Sequence, residues 1–135
     1  MNALSGFGAL IAVVTFAIFT FRKFPDACPI CIFRIIAFAA VGDVLSTVIL
    51  RSGMGYGWTS EINAAVGKWG ALYGNGAVLA ANHFVLIGLF FLFALACRNS
   101  NFWRSLYALL AFAVGLKLWA TIGWNIVQIL GRIIG

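Results

Sequence analysis

Two cysteines, Cys28 and Cys31, fall three positions apart in the stretch FPDACPICIFR, residues 24–34, and Arg34 follows at the mouth of a long apolar run. C-x-x-C sets two sulfurs one helical turn apart. That suits a reversible disulfide, in which one thiolate attacks and the other resolves. A helix N-terminus and a nearby arginine favour the thiolate form. The same spacing offers two ligands to a soft metal, but a closed tetrahedral site needs further ligands. Cys97, the only other thiol in the chain, lies on the same membrane face. It would give a third thiol, suited to a thiophilic metal more than to structural zinc. Nothing in the sequence requires a metal, and no metal ligand is assigned. A plainer reading has both cysteines packing as small apolar residues at a helix start.

A second constellation lies inside apolar runs: Asp43, His83 and Lys117. Counted from the same end of their helices, each lies ~20 Å deep at about 1.5 Å per residue. Asn82, Ser46 and Thr47 fall in the same layer. Ionisable groups are expensive in hydrocarbon and usually pair or serve a path. The expectation is an Asp43–Lys117 ion pair with His83 or Asn82 hydrogen-bonded beside it. Its use is either a clamp fixing helix register or a proton relay or binding pocket. Lys117 snorkelling toward Trp119 and Trp124 is the remaining option.

The elements that must position these groups are membrane helices. Only 9% of the 135 residues are charged, and mean hydropathy is +1.06. A soluble domain of this size lacks the interior to hide so much apolar surface. Four continuous apolar runs, about 3–21, 30–50, 77–97 and 103–131, are long enough to cross a core about 30 Å thick. They do not alternate in the manner of barrel strands. The predicted fold is all-α: one domain, residues 1–135, a polytopic bundle of four transmembrane helices. The first run is expected to be a retained helix, since no Lys or Arg precedes it.

The first loop holds Asp26 and Pro29, both suited to a helix start. The loop at residues 51–76 is the long one. Within it Ile62, Val66, Trp69 and Tyr73 recur at helical spacing, which predicts an amphipathic helix in the membrane interface, capped by Thr59 or Ser60. Gly67 and Gly70 weaken that helix or allow it to pack closely. In the last helix Ile122, Ile126, Ile129 and Ile133 form one stripe, and Asn125, Gln128 and Arg132 a polar one.

The net charge of +6 is scattered. It reads as headgroup anchoring and not as a nucleic-acid patch. Arg22, Lys23, Arg98 and Arg104 share one face of the membrane; Arg51, Lys68 and Arg132 share the other. The charge balance places the first and third loops in the cytoplasm of a bacterial inner membrane. The opposite orientation would put the cysteines outside, where dithiols tend to oxidise.

CPICIFR at the start of a second helix, in a four-helix membrane protein, resembles the quinone-linked thiol oxidases of the disulfide bond formation protein B family. The resemblance implies a redox role for Cys28 and Cys31, with Arg34 on the side of a bound ubiquinone. The arginine here lies three residues after the second cysteine where the family usually has four. The family's second cysteine pair, in a long loop between helices three and four, has no counterpart.

Three functions follow. The first is a non-catalytic subunit of a larger membrane complex, with no cofactor, contacting lipid and other membrane subunits through its small residues. The second is a membrane thiol oxidoreductase with Cys28, Cys31 and Arg34 as catalytic residues. The third is a small transporter or channel using Asp43, His83 and Lys117.

Overall fold

The computed structural model describes residues 3–23, 28–58 and 64–135. Its elements are α1 (Ala3–Lys23), α2 (Pro29–Val48), α3 (Ala64–Tyr73), α4 (Asn75–Ala96) and α5 (Asn101–Ile134). A π-helical turn, Ile49–Gly53, continues α2, and a 3₁₀ turn, Cys97–Asn99, leads into α5. No strand occurs among the described residues. Three segments are long and apolar enough to cross a membrane: Pro29–Gly53, Asn75–Ala96 and Asn101–Ile134. The apolar part of α1, Leu4–Ile18, is shorter.

Local chemistry fixes the helix ends. Cys28 is the N-cap of α2, with extended backbone (φ −66°, ψ 150°), and Pro29 occupies the first turn, where a missing N–H is harmless. Cys28 Sγ accepts a hydrogen bond from the Cys31 backbone N–H at 3.4 Å, taking the place of the usual oxygen cap. Asp26, expected to support this start, lies outside the described residues, as do Thr59, Ser60 and Ile62 of the second loop. Gly74, at φ +88°, turns the chain sharply between α3 and α4 in a conformation L side chains avoid.

α5 is the central stave. Its inward face runs Tyr107, Ala111, Gly115, Leu118, Ile122, Asn125, at spacings of three and four. α1 packs along one side of it and α2 along the other; α4 packs on α2, and α3 on α4. Between α1 and α5 the backbones nearly touch. A Cβ added at Gly123 would lie 2.5 Å from the Gly8 carbonyl oxygen. Lipid offers no hydrophobic drive for helix association, so close van der Waals contact between small residues takes its place. Ile32, Ile36, Phe90, Ala94, Cys97, Tyr107 and Ala111 form one core cluster. Ala39, Ala40 and Leu118 form a second.

Of the isoleucine stripe on the last helix, Ile122 is buried, while Ile126 is 45% and Ile133 67% exposed. Asn125, read as part of a polar stripe with Gln128 and Arg132, is buried. In α3, Val66 and Gly70 face inward, while Trp69 and Tyr73 are exposed and lean on each other with ring centroids 6.4 Å apart.

Candidate functional site

Cys28 and Cys31 are free thiols, both exposed, and their Sγ atoms lie 2.8 Å apart. The helix start explains the approach. Cys28 caps the first turn and Cys31 closes it, so the two side chains rise on the same side. The two thiols lie within hydrogen-bonding distance of each other, and the Cys31 backbone N–H donates to the Cys28 sulfur. Together with Arg34 one turn on, they hold the Cys28 thiol below its ordinary pKa. Cys97 differs: it is wholly buried beside Tyr107, and desolvation pushes its thiol up. Among the described residues, no group of three His, Cys, Asp or Glu side chains gathers as a metal site.

Arg34 is exposed and forms no ion pair among the described residues. It stands at an apolar cavity of about 580 Å³ between α1, α2 and α5. Phe16, Phe38 and Trp119 line that cavity, with Trp119 packed 6.1 Å from Phe16 and 6.5 Å from Phe38, centroid to centroid.

Deeper in the bundle the polar layer assembles differently from its expectation. Asp43 pairs with His83, Oδ2 to Nε2 at 2.9 Å, and both residues are buried. No ion pair forms between Asp43 and Lys117. Asp43 lies on the same face of α2 as Ser46 and Thr47. Thr47 donates to Asp43 Oδ1 at 3.4 Å, and Ser46 to the Asp43 carbonyl oxygen at 3.2 Å. Asn125 then donates from α5 to both hydroxyls, at 2.9 Å to Thr47 and 3.1 Å to Ser46. One connected network thus ties α2 to α4 and to α5.

The protons of this network can be placed. His83 Nδ1 lies 2.9 Å from the Leu79 carbonyl oxygen, which only accepts, so Nδ1 carries a hydrogen. A bare Nε2 facing a carboxylate oxygen at 2.9 Å would oppose two acceptors. A proton therefore sits between Nε2 and Oδ2, and the pair as a whole is neutral.

Asn125 is the member that sequence reasoning placed elsewhere. The signal was its register: it continues the α5 core stripe through Leu118 and Ile122. Lys117, one position off that stripe, is exposed beside the layer and lines a cavity with Asp43, Asn82, His83 and Thr121.

No protein-family model, curated protein or solved structure matches the chain.

Proposed function

We propose that the chain is a membrane thiol–disulfide exchange protein, with Cys28 and Cys31 as the exchanging pair and Arg34 as the cation that favours the Cys28 thiolate. The observation that carries this reading is the 2.8 Å approach of two free, exposed sulfurs at a helix N-terminus. In this reading α1 is a fourth span, α3 lies along the interface of a bacterial inner membrane, and the first and third loops face the cytoplasm. Thiols there are kept reduced, so the pair acts as an electron donor.

The exchange runs in two steps. The Cys28 thiolate attacks one sulfur of a partner disulfide; the partner S–S bond breaks, a mixed disulfide forms, and one partner thiolate leaves. Cys31, losing its proton, then attacks the Cys28 sulfur and releases the second partner thiolate. Two electrons pass to the partner, whose two thiolates take up the Cys31 proton and one from solvent, and Cys28–Cys31 is left as a disulfide.

The resemblance to quinone-linked thiol oxidases adds ubiquinone as an electron acceptor for the pair. The cavity beside Arg34 fits such a group in kind, being apolar, of about 580 Å³, and lined by aromatic rings. Arg34, Phe38 and Trp119 would hold it. Bound there, it would supply a sink for two electrons and two protons.

The test is equilibration of the protein, in lipid nanodiscs, with glutathione buffers of graded potential, followed by thiol alkylation and mass measurement. Cys28 and Cys31 are expected to disappear together as one two-electron couple, with Cys97 unchanged. If both stay freely alkylated under oxidising buffers, the exchange reading fails.

A second reading, a subunit of a larger membrane complex, is favoured by the far end of α5. That helix has 34 residues, about 51 Å at 1.5 Å per residue, against a hydrocarbon core of about 30 Å. Its last turns remain apolar and exposed at Leu130, Ile133 and Ile134. Co-purification of another membrane protein, lost on replacing Ile133 and Ile134 with serine, supports it; co-purification unaffected by those changes counts against it.

A further inference from the structure

The Asp43–His83 pair, the lone ammonium of Lys117 and the cavity they share point to a site outside the dithiol. That cavity, about 370 Å³, has a polar side formed by Asp43, Thr47, Asn82, His83, Lys117 and Thr121, and apolar walls beyond them. Charge decides what fits it. The proton between His83 Nε2 and Asp43 Oδ2 cancels the carboxylate charge within the pair. Asp43 Oδ1 is taken by Thr47, and the Thr121 hydroxyl hydrogen is committed to the Lys117 carbonyl at 3.1 Å.

Lys117 itself makes no side-chain hydrogen bond and no ion pair among the described residues. Neither does the Asn82 amide, on the facing helix. The cavity therefore presents unused N–H donors and one uncompensated positive charge, within a helix that crosses the membrane. In a medium of low dielectric, that charge attracts a counter-ion far more strongly than in water.

We propose that this cavity binds a small monovalent anion, held by Lys117 with Asn82 beside it and backed by the neutral Asp43–His83 pair. Two sources share that chemistry: a halide, and a short-chain monocarboxylate whose alkyl tail would lie against Leu86 and Leu89, which also line the cavity. The site is independent of the dithiol. It holds whether or not Cys28 and Cys31 exchange.

Thermal unfolding of the full chain in zwitterionic nanodiscs tests it. Chloride and butyrate are titrated separately, with ionic strength held constant by sulfate. A saturable rise in the unfolding midpoint is expected with at least one anion, since a ligand that binds only the folded state stabilises it in proportion to its occupancy. The larger rise identifies the source. Lys117→Gln should abolish the rise, Lys117→Arg should retain it, and Asn82→Ala should move its half-saturation to higher concentration. The doubly substituted Cys28→Ala, Cys31→Ala chain should respond as the native chain does. No saturable response to either anion overturns the proposal, as does a response that Lys117→Gln leaves intact. Should Lys117→Gln fail to fold, the comparison of Lys117→Arg with Asn82→Ala decides: unchanged half-saturation in Asn82→Ala overturns the assignment.

Discussion

Asp43 and His83, 40 positions apart in the sequence, meet at 2.9 Å where α2 crosses α4. The contact is the chief polar tie between those helices, and it also holds Thr47 in place for Asn125. Asp43→Ala would leave His83 Nε2 without a partner and the Thr47 hydroxyl without its acceptor. The expected loss of stability is about 1–3 kcal/mol. A double-mutant cycle with His83→Ala should return a coupling of about 1 kcal/mol, in the range known for polar pairs between membrane helices. Unfolding in mixed micelles with graded denaturing detergent measures both. A coupling of zero would mean the pair adds nothing to the bundle.

The seam between α1 and α5 is closed by glycine on both helices. Gly123→Ala places a methyl 2.6 Å from the Ala12 Cβ and 2.5 Å from the Gly8 carbonyl, both part of a helix that cannot yield locally. A destabilisation of about 1–3 kcal/mol is expected from the overpacking. Gly131→Ala, on the same helix with nothing within 4 Å of the added Cβ, serves as the comparison. It should be neutral or slightly stabilising. Equal effects of the two substitutions would show that the seam is not closed by glycine.

Thiol reactivity should separate the three cysteines. Hydrogen bonding from Cys31 lowers the Cys28 pKa, so Cys28 keeps its thiolate below the pH at which an ordinary thiol loses it. Its alkylation rate should stay high there and fall only as pH drops through the lowered value. Cys31→Ala removes the donor and should move the midpoint up. Arg34→Gln should move it up less, since the arginine is the weakest contributor. Cys97, buried and with a raised pKa, should react only when the bundle opens. Rates of iodoacetamide labelling against pH, followed by mass spectrometry, give all of these. A Cys28 midpoint at or above that of a free thiol would remove the basis for calling it the nucleophile.

Asn125 and Gln128 sit one turn apart on α5 and should behave oppositely. Asn125→Ala deprives Ser46 and Thr47 of their donor and should destabilise by about 1 kcal/mol. Gln128 makes no hydrogen bond among the described residues, and Gln128→Ala should lie within about 0.5 kcal/mol of the native chain. Thermal unfolding in nanodiscs compares the two variants. Equal losses would contradict the inward orientation of Asn125.

The helical nature of the chain was legible because long apolar runs admit few other structures in lipid. The helix start at Cys28 was legible too, since capping by position and proline in the first turn are local effects. Asp43, His83 and Lys117 stood out as ionisable groups in apolar runs. Which of them pair was not legible. That depends on how far each helix is rotated about its axis, and one residue amounts to about 100°. On α5 the core stripe takes Leu118 inward, which swings Lys117 to the side and away from Asp43. The same rotation carries Asn125 into the network. Rotational phase is set by packing on neighbouring helices, which no single segment encodes.

The Gly8–Gly123 seam joins α1 to α5, helices far apart in the chain. Chains leave the ribosome N-terminus first, so α1 is made before α2, α3 and α4, and its docking surface on α5 comes later still. Throughout that interval its glycine face is open to any other helix nearby. The native order of assembly is therefore expected to build α2, α4 and α5 first and to seat α1 last, as the step that closes the structure.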